Sequence, residues 1–425
     1  MPYKSVVVAV ALSVVCLPAI AQNTWNVSHR LELRADYRWS DEESHPAPFP
    51  PGSRLRTPDL GHHVELNVAD LQLDAGYGDL FAMRAKVHVQ AKHRRNPTST
   101  DQQVDADELF VRFGPKPEFL DRPSGTTVFL QAGKFPKMER QPVRLLESYG
   151  LAATAFNRFE DTQVLVGGTI GRSLYWRVQA ANGNPLFFRD PNALAGDNGT
   201  DDRIAGRPTD FGSGFPILYN SETEDLFFNT ENVQVGEAIG YRWQRDDQTA
   251  GIDAIVFHYQ RDMADRVELT GTNYGGDLDL LVLDEIPGVP PRGFPIEGRK
   301  KREIGARVFV EWHAATFIGQ YTTQTIAGLD RQGWELEAGY RFPFAMGPVE
   351  SIQPAVRASG INNDFGRVIG FPAPSLWWNW RKYDAGVRVG LKRGLDVTIE
   401  YTTHEVESVE PVNLREALVT VRWRV

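Results

Sequence analysis

The strongest constraint on this chain is an alternation of apolar and polar residues, period two, that returns along most of its length. Residues 25–39 carry it most cleanly. Trp25, Val27, Leu31, Leu33, Ala35, Tyr37 and Trp39 fall on one face of an extended segment, and Asn26, Ser28, Arg30, Glu32, Arg34, Asp36 and Arg38 on the other. A strand with two such unlike faces borders two unlike environments. Its apolar face has aromatic rings at both ends and aliphatic groups between them, as expected where rings sit at the two interfaces of a bilayer. Mean hydropathy of −0.36 would by itself describe a water-soluble chain. A barrel strand shows only every second residue to lipid, however, so its mean hydropathy stays low.

The same reading predicts strands near 25–39, 62–75, 79–93, 104–114, 126–135, 161–169, 172–181, 235–244, 249–260, 302–313, 315–326, 332–342, 350–358, 382–392, 395–404 and 414–425. The connections sort by parity. The odd ones are mostly long (40–61, 94–103, 136–160, 182–234, 261–301, 327–331, 359–381, 405–413), whereas the even ones are mostly short turns such as 76–78 and 393–394. A secreted β-sandwich also alternates, but has no reason to sort its loops in this way. The expected fold is therefore all-β: a transmembrane antiparallel β-barrel of about 16 strands, with short periplasmic turns and long extracellular loops. An even count places both termini in the periplasm.

The N-terminus agrees with that location. Lys4, the apolar run 5–17, Pro18 and the small-x-small triplet Ala19-Ile20-Ala21 read as a signal peptide over 1–21, leaving a barrel over 22–425. The expected destination is the cell outer membrane of a Gram-negative organism. Cys16, the one cysteine, lies in the signal, so the mature chain is expected to have no disulfide and no thiolate metal site. A formal net charge of −9 argues against nucleic acid as a partner. No nucleophile elbow is present, and His62 and His63 are adjacent in a strand and point to opposite faces. No catalytic residue, metal or cofactor is expected.

Function is expected to reside in the lumen. Arg34, Arg84, Lys86, Arg307, Arg341, Arg388 and Lys392 are pore-lining candidates within a modest basic excess on the inward faces. The third long connection, 136–160, has helical propensity at its centre and offers Arg140, Arg144, Glu147 and Arg158 as candidates for a constriction. Arg299 to Arg302 form a basic run at the extracellular rim, and Trp377, Trp378 and Trp380 read as an interfacial girdle. These features suggest passive diffusion of small polar solutes with an anion preference. The alternatives are a channel specific for a sugar, carboxylate or oligosaccharide, and an outer-membrane barrel enzyme. Expected partners are outer-membrane lipid and lipopolysaccharide, together with small anions or other polar solutes.

One segment resembles a known family. The run from Leu130 to Asp161, with Gly133, Lys134, Phe135 and Pro136 at a strand end followed by Arg140, Arg144 and Arg158, is similar to the third-loop region of phosphate-selective porins of the O and P type. The resemblance implies a 16-stranded, usually trimeric barrel that conducts anions. The chain departs from that pattern by entering a strand almost directly after the signal, by carrying Val425 where such barrels commonly have Phe, and by an inward face that is not uniformly basic.

Overall fold

The structure is a computed structural model. It describes residues 24–41, 44–46, 54–56, 61–90, 104–116, 125–156, 160–183, 219–220, 233–262, 269–270, 300–326, 329–364, 379–407 and 411–425. Its sixteen barrel strands are β1 (Trp25–Ser40), β2 (Gly61–Tyr77), β3 (Phe81–Gln90), β4 (Val104–Phe113), β5 (Thr127–Pro136), β6 (Glu160–Ile170), β7 (Leu174–Ala181), β8 (Gln234–Gln244), β9 (Ala250–Asp262), β10 (Lys300–Trp312), β11 (Ala315–Ile326), β12 (Leu329–Tyr340, continued by Phe342–Met346), β13 (Val349–Asp364), β14 (Asn379–Leu391), β15 (Leu395–Glu407) and β16 (Pro411–Arg424). Each pairs antiparallel with its neighbours in chain order. β1 closes the sheet by pairing with β2, from Trp25 opposite Tyr77 to Ser40 opposite Gly61, and with β16, from Glu32 opposite Arg424 to Ser40 opposite Glu416. Closure removes the open edges that backbone groups in lipid could not tolerate.

The connections at the end holding Trp25 and Arg424 are mostly tight. In the β14–β15 turn, Arg393 and Gly394 are both left-handed, at φ 66° and 73°. That backbone matches the twist of a hairpin, and a Cβ on Gly394 would stand 2.1 Å from the Arg424 carbonyl oxygen. Outward faces carry exposed Val27, Ile239, Val256, Ile304, Leu336, Val356 and Ile399. Rings gather at the turn end, where Trp25 stacks near Tyr77 (centroids 5.4 Å apart) and Phe81 near Phe113 (5.5 Å). Tyr37, Tyr383 and Tyr401 face outward nearer the loop end.

All sixteen expected strands are present, and the largest difference is informative. The expected strand 350–358 runs on to Asp364. Over the added residues the alternation reverses: the outer face carries Gly360 and Asn362, while Ile361 turns inward and is fully buried. Trp380 also faces inward, at 3% exposure, instead of joining a lipid-facing girdle. Trp377 and Trp378 lie outside the described residues.

Candidate functional site: the lumen and the loop inside it

Ile361 and Trp380 belong to an apolar seat on the inner wall. With Val406 of β15 and Leu414 of β16 they receive Leu151, Ala152, Ala155 and Phe156 from the β5–β6 connection, here called loop L3. Its short helix α1 (Leu151–Ala155) lies within the barrel, and Leu151 is wholly buried. Burying a leucine contributes about 1.5–3 kcal/mol. Further along, Leu145 and Leu146 pack on Ala355 of β13. Wall glycines make the close approach possible. A Cβ on Gly333 of β12 would stand 2.2 Å from the Phe156 ring, and one on Gly386 of β14 would stand 2.8 Å from Leu146.

Loop L3 has little regular structure, so its backbone groups need partners, and the wall supplies them as charges. The amides of Leu145 and Leu146 donate to Glu337 Oε1 at 2.7 and 3.3 Å. The amide of Ser148 donates to Glu400 Oε2 at 3.1 Å, and that of Glu147 to Glu400 Oε1. Gln141 donates to Glu335 at 3.0 Å. Wall cations cover the loop carbonyls: Arg357 donates to Ser148 O at 2.9 Å, Lys382 to Tyr149 O at 2.6 Å and Arg331 to Ala155 O at 2.9 Å. On the other flank, Arg177 donates to Met138 O at 3.0 Å and Arg307 to Arg140 O at 2.5 Å.

Glu147 is the charged anchor. Its buried carboxylate receives Arg388 at 2.6 Å, touches Arg422, and has Arg34 and Arg144 each at 3.9 Å. Arg34 also pairs with Asp36 at 3.3 Å. Arg144 lies over the Tyr149 ring, 4.3 Å from its centroid. Burial opposes ionisation of the Tyr149 phenol. The guanidiniums of Arg144, Arg140 and Arg34 outweigh that effect and hold it below its ordinary value of 10.0.

Because L3 packs against the β11–β16 wall, the free space lies on the β1–β8 side. There a cavity of about 1030 Å³ is lined, among the described residues, by eleven Lys or Arg residues and four Asp or Glu residues. Its cations include Arg84, Lys86, Arg140, Arg144 and Arg307 from the expected set, joined by Arg112, Lys116, Lys137, Arg177, Arg242 and Arg357. Arg84 pairs with Asp74 (2.6 Å) and Glu108 (3.3 Å), and Lys86 with Asp70 (3.0 Å) and Asp107. Arg140 contacts Glu160. Asp253, Arg242, Arg307 and Tyr175 form one knot, with both arginines 2.7 Å from the carboxylate and the phenol donating at 3.0 Å.

The other expected residues lie elsewhere. Arg388 and Arg34 serve the Glu147 anchor. Arg341 is exposed just beyond Tyr340, and Lys392 is exposed in the β14–β15 turn. Arg158 lies outside the described residues. Lys116 and Lys137 went unrecognised because each follows a strand end, where alternation no longer assigns a face. The carboxylates of Asp107, Glu108 and Glu160 can approach within 4.8 Å of one another, but Lys86, Arg84 and Arg140 each engage one of them.

No protein-family model matches the chain, and no curated relative matches it, so the phosphate-selective subtype finds no support there. Solved structures do match in fold. The outer membrane channel DcaP of Acinetobacter baumannii aligns at 9% identity with a TM-score of 0.54, covering 94% of this chain and 97% of that one. OprB of Pseudomonas putida aligns at 10% identity and 0.54, covering 94% of each chain. An anion-selective porin from Comamonas acidovorans aligns at 7% identity and 0.52, covering 95% of this chain and all of the other. At such identities the likeness establishes the fold: a closed transmembrane barrel of the outer-membrane type.

Proposed function

We propose that this barrel is an outer-membrane channel for passive diffusion of small polar solutes, that it prefers small, phosphate-like anions, and that loop L3 forms its constriction. The observation that carries the reading is the basic lining of the free lumen: among the described residues eleven cations and four acids line it, and with Arg242 and Arg307 paired to Asp253 and Arg357 to Asp384 the excess is still basic. Docking of L3 engages wall charges of both signs, Glu335, Glu337 and Glu400 together with Arg331, Arg357 and Lys382, and leaves the basic lining on the opposite side facing the open lumen. Rings of one charge sign set ion preference in a pore. At physiological salt, charges act over only about 8 Å, so those flanking a narrow passage dominate.

The test is reversal potential in a planar bilayer under a potassium chloride gradient. The expected result is discrete conductance steps with chloride preferred. The combined variant Arg140→Gln, Arg144→Gln, Arg158→Gln moves the reversal potential toward zero. Potassium preference in the unaltered protein overturns the anion reading while leaving a channel, and folded protein without conductance overturns the channel.

A further inference from the structure

The loop end of β10 carries charge on the wrong face for a channel wall. Lys300 and Arg302 share the outward face of β10 with Ile304, and both are exposed. Their neighbours Lys301 and Glu303 point inward and are buried. Neither Lys300 nor Arg302 makes an ion pair or hydrogen bond among the described residues. Of the other outward cations at this rim, Arg415 pairs with Asp41 at 3.1 Å, and Arg381 stands opposite Glu405 in register.

The surroundings have the layering of a lipid. In register, Lys300 stands opposite Asp262, and Arg302 opposite Gln260 and Thr325. Gln260 in turn faces Val235. A cavity of about 230 Å³ opens among Val233, Val235, Gln260, Lys300 and Arg302. Directly below lies the apolar belt, with Ile304 53%, Val256 51% and Ile239 59% exposed. Two cations about 6.7 Å apart along one strand therefore stand above a surface suited to acyl chains. An arginine fork and a lysine point charge are the usual recognition pair for phosphate.

We infer that Lys300 and Arg302 form a binding site for the phosphorylated headgroup of an outer-leaflet glycolipid, with its acyl chains lying along Ile304, Val256 and Ile239. The phosphate accepts hydrogen bonds from both side chains. Gln260 offers an amide to the sugar, and Asp262 keeps the patch from binding anions without selection. This inference rests on the outer-membrane orientation given above and not on conduction.

The test titrates the purified full-length barrel in detergent with bisphosphorylated lipid A, followed by native mass spectrometry. The variants Lys300→Gln, Arg302→Gln together are expected to weaken lipid A binding at least about tenfold, with heat-shifted electrophoretic mobility unchanged. Arg381→Gln, an outward cation on β14 opposite Glu405, is expected to leave binding unaltered. Wild-type affinity in the double variant overturns the site. Equal loss in the Arg381 variant also overturns it, by reducing the effect to bulk charge. Complete displacement of lipid A by inorganic phosphate overturns the lipid assignment in favour of a free anion. A barrel that binds lipid A but does not conduct refutes the channel and leaves this site standing.

Discussion

Glu147→Gln removes the carboxylate on which four guanidiniums converge while keeping the length of the side chain. Arg388 stands at 2.6 Å, Arg422 is in contact, and Arg34 and Arg144 are at 3.9 Å, around a side chain only 1% exposed. Water cannot restore what the substitution removes. Two unit charges 4 Å apart at an effective dielectric of 20 attract by about 4 kcal/mol, and breaking a buried pair from one side costs about 3–5 kcal/mol. The bonds to Glu337 and Glu400 remain, at about 1.5–3 kcal/mol for each hydrogen bond to a charged group. So does the apolar seat of Leu151 and Phe156. The barrel therefore assembles and L3 still docks, but the docked state loses roughly 10²–10⁴-fold in population ratio. Single-channel recording reads this directly. The variant is expected to make excursions to a wider level absent from the wild type. Anion preference in that level is weaker, because a wider passage carries solutes farther from the wall charges than the screening length of about 8 Å. A heat-shifted band on electrophoresis checks assembly. A single wild-type level with unchanged noise would refute charge as the clamp on the loop.

Other outcomes are expected from the same contacts. Asp253→Asn leaves Arg242 and Arg307 without their shared carboxylate; it should cost about 3–5 kcal/mol, read as a lower thermal unfolding midpoint in detergent, and raise anion preference. Gly333→Val places a Cβ where the Phe156 ring now lies; an L3 displaced from its seat should give a larger conductance with little change in assembly. Trp380→Phe deletes the indole N–H donated to His404 Nδ1 at 3.1 Å and should destabilise by about 1–3 kcal/mol through an unsatisfied buried nitrogen, measured by thermal unfolding. Raising pH toward 10 should erode anion preference with a midpoint below the ordinary 10.0 of tyrosine, since ionised Tyr149 adds a negative charge beside Arg144. Tyr149→Phe should abolish that titration.

The wall was legible because its two faces meet different media, and a period-two pattern records that difference residue by residue. It failed where the medium inside changes. At Ile361, Trp380, Val406 and Leu414 the lumen is no longer water but the apolar side of L3. There the inner face turns hydrophobic, and strand β13 was cut short. That reversal is itself a signal, since four neighbouring strands carry inward apolar residues at the same end. The charge balance of the pore was less legible. Counting inward acids along strands treats Glu335, Glu337 and Glu400 as lining groups, and only the docked loop reveals that Glu337 and Glu400 accept from its backbone amides and Glu335 from the Gln141 side chain. Position fails differently for Arg341, which sits at the break within β12, and for Lys392, which lies past the end of β14.

The seam between β1 and β16 governs how such a barrel can come into being. Nine register pairs join Glu32–Ser40 to Glu416–Arg424, across nearly the full length of the polypeptide. Until β16 has been made, β1 presents one unpaired edge and the last completed strand presents another, and neither can be left in hydrocarbon. Growth of the sheet strand by strand thus cannot deliver a stable intermediate to the bilayer interior. Closure is a single late event that depends on the most sequence-distant contacts in the molecule, the kind that form slowly. A lesion in β16 would therefore arrest assembly of the whole cylinder, whereas the same lesion in a mid-chain outward position would only weaken it.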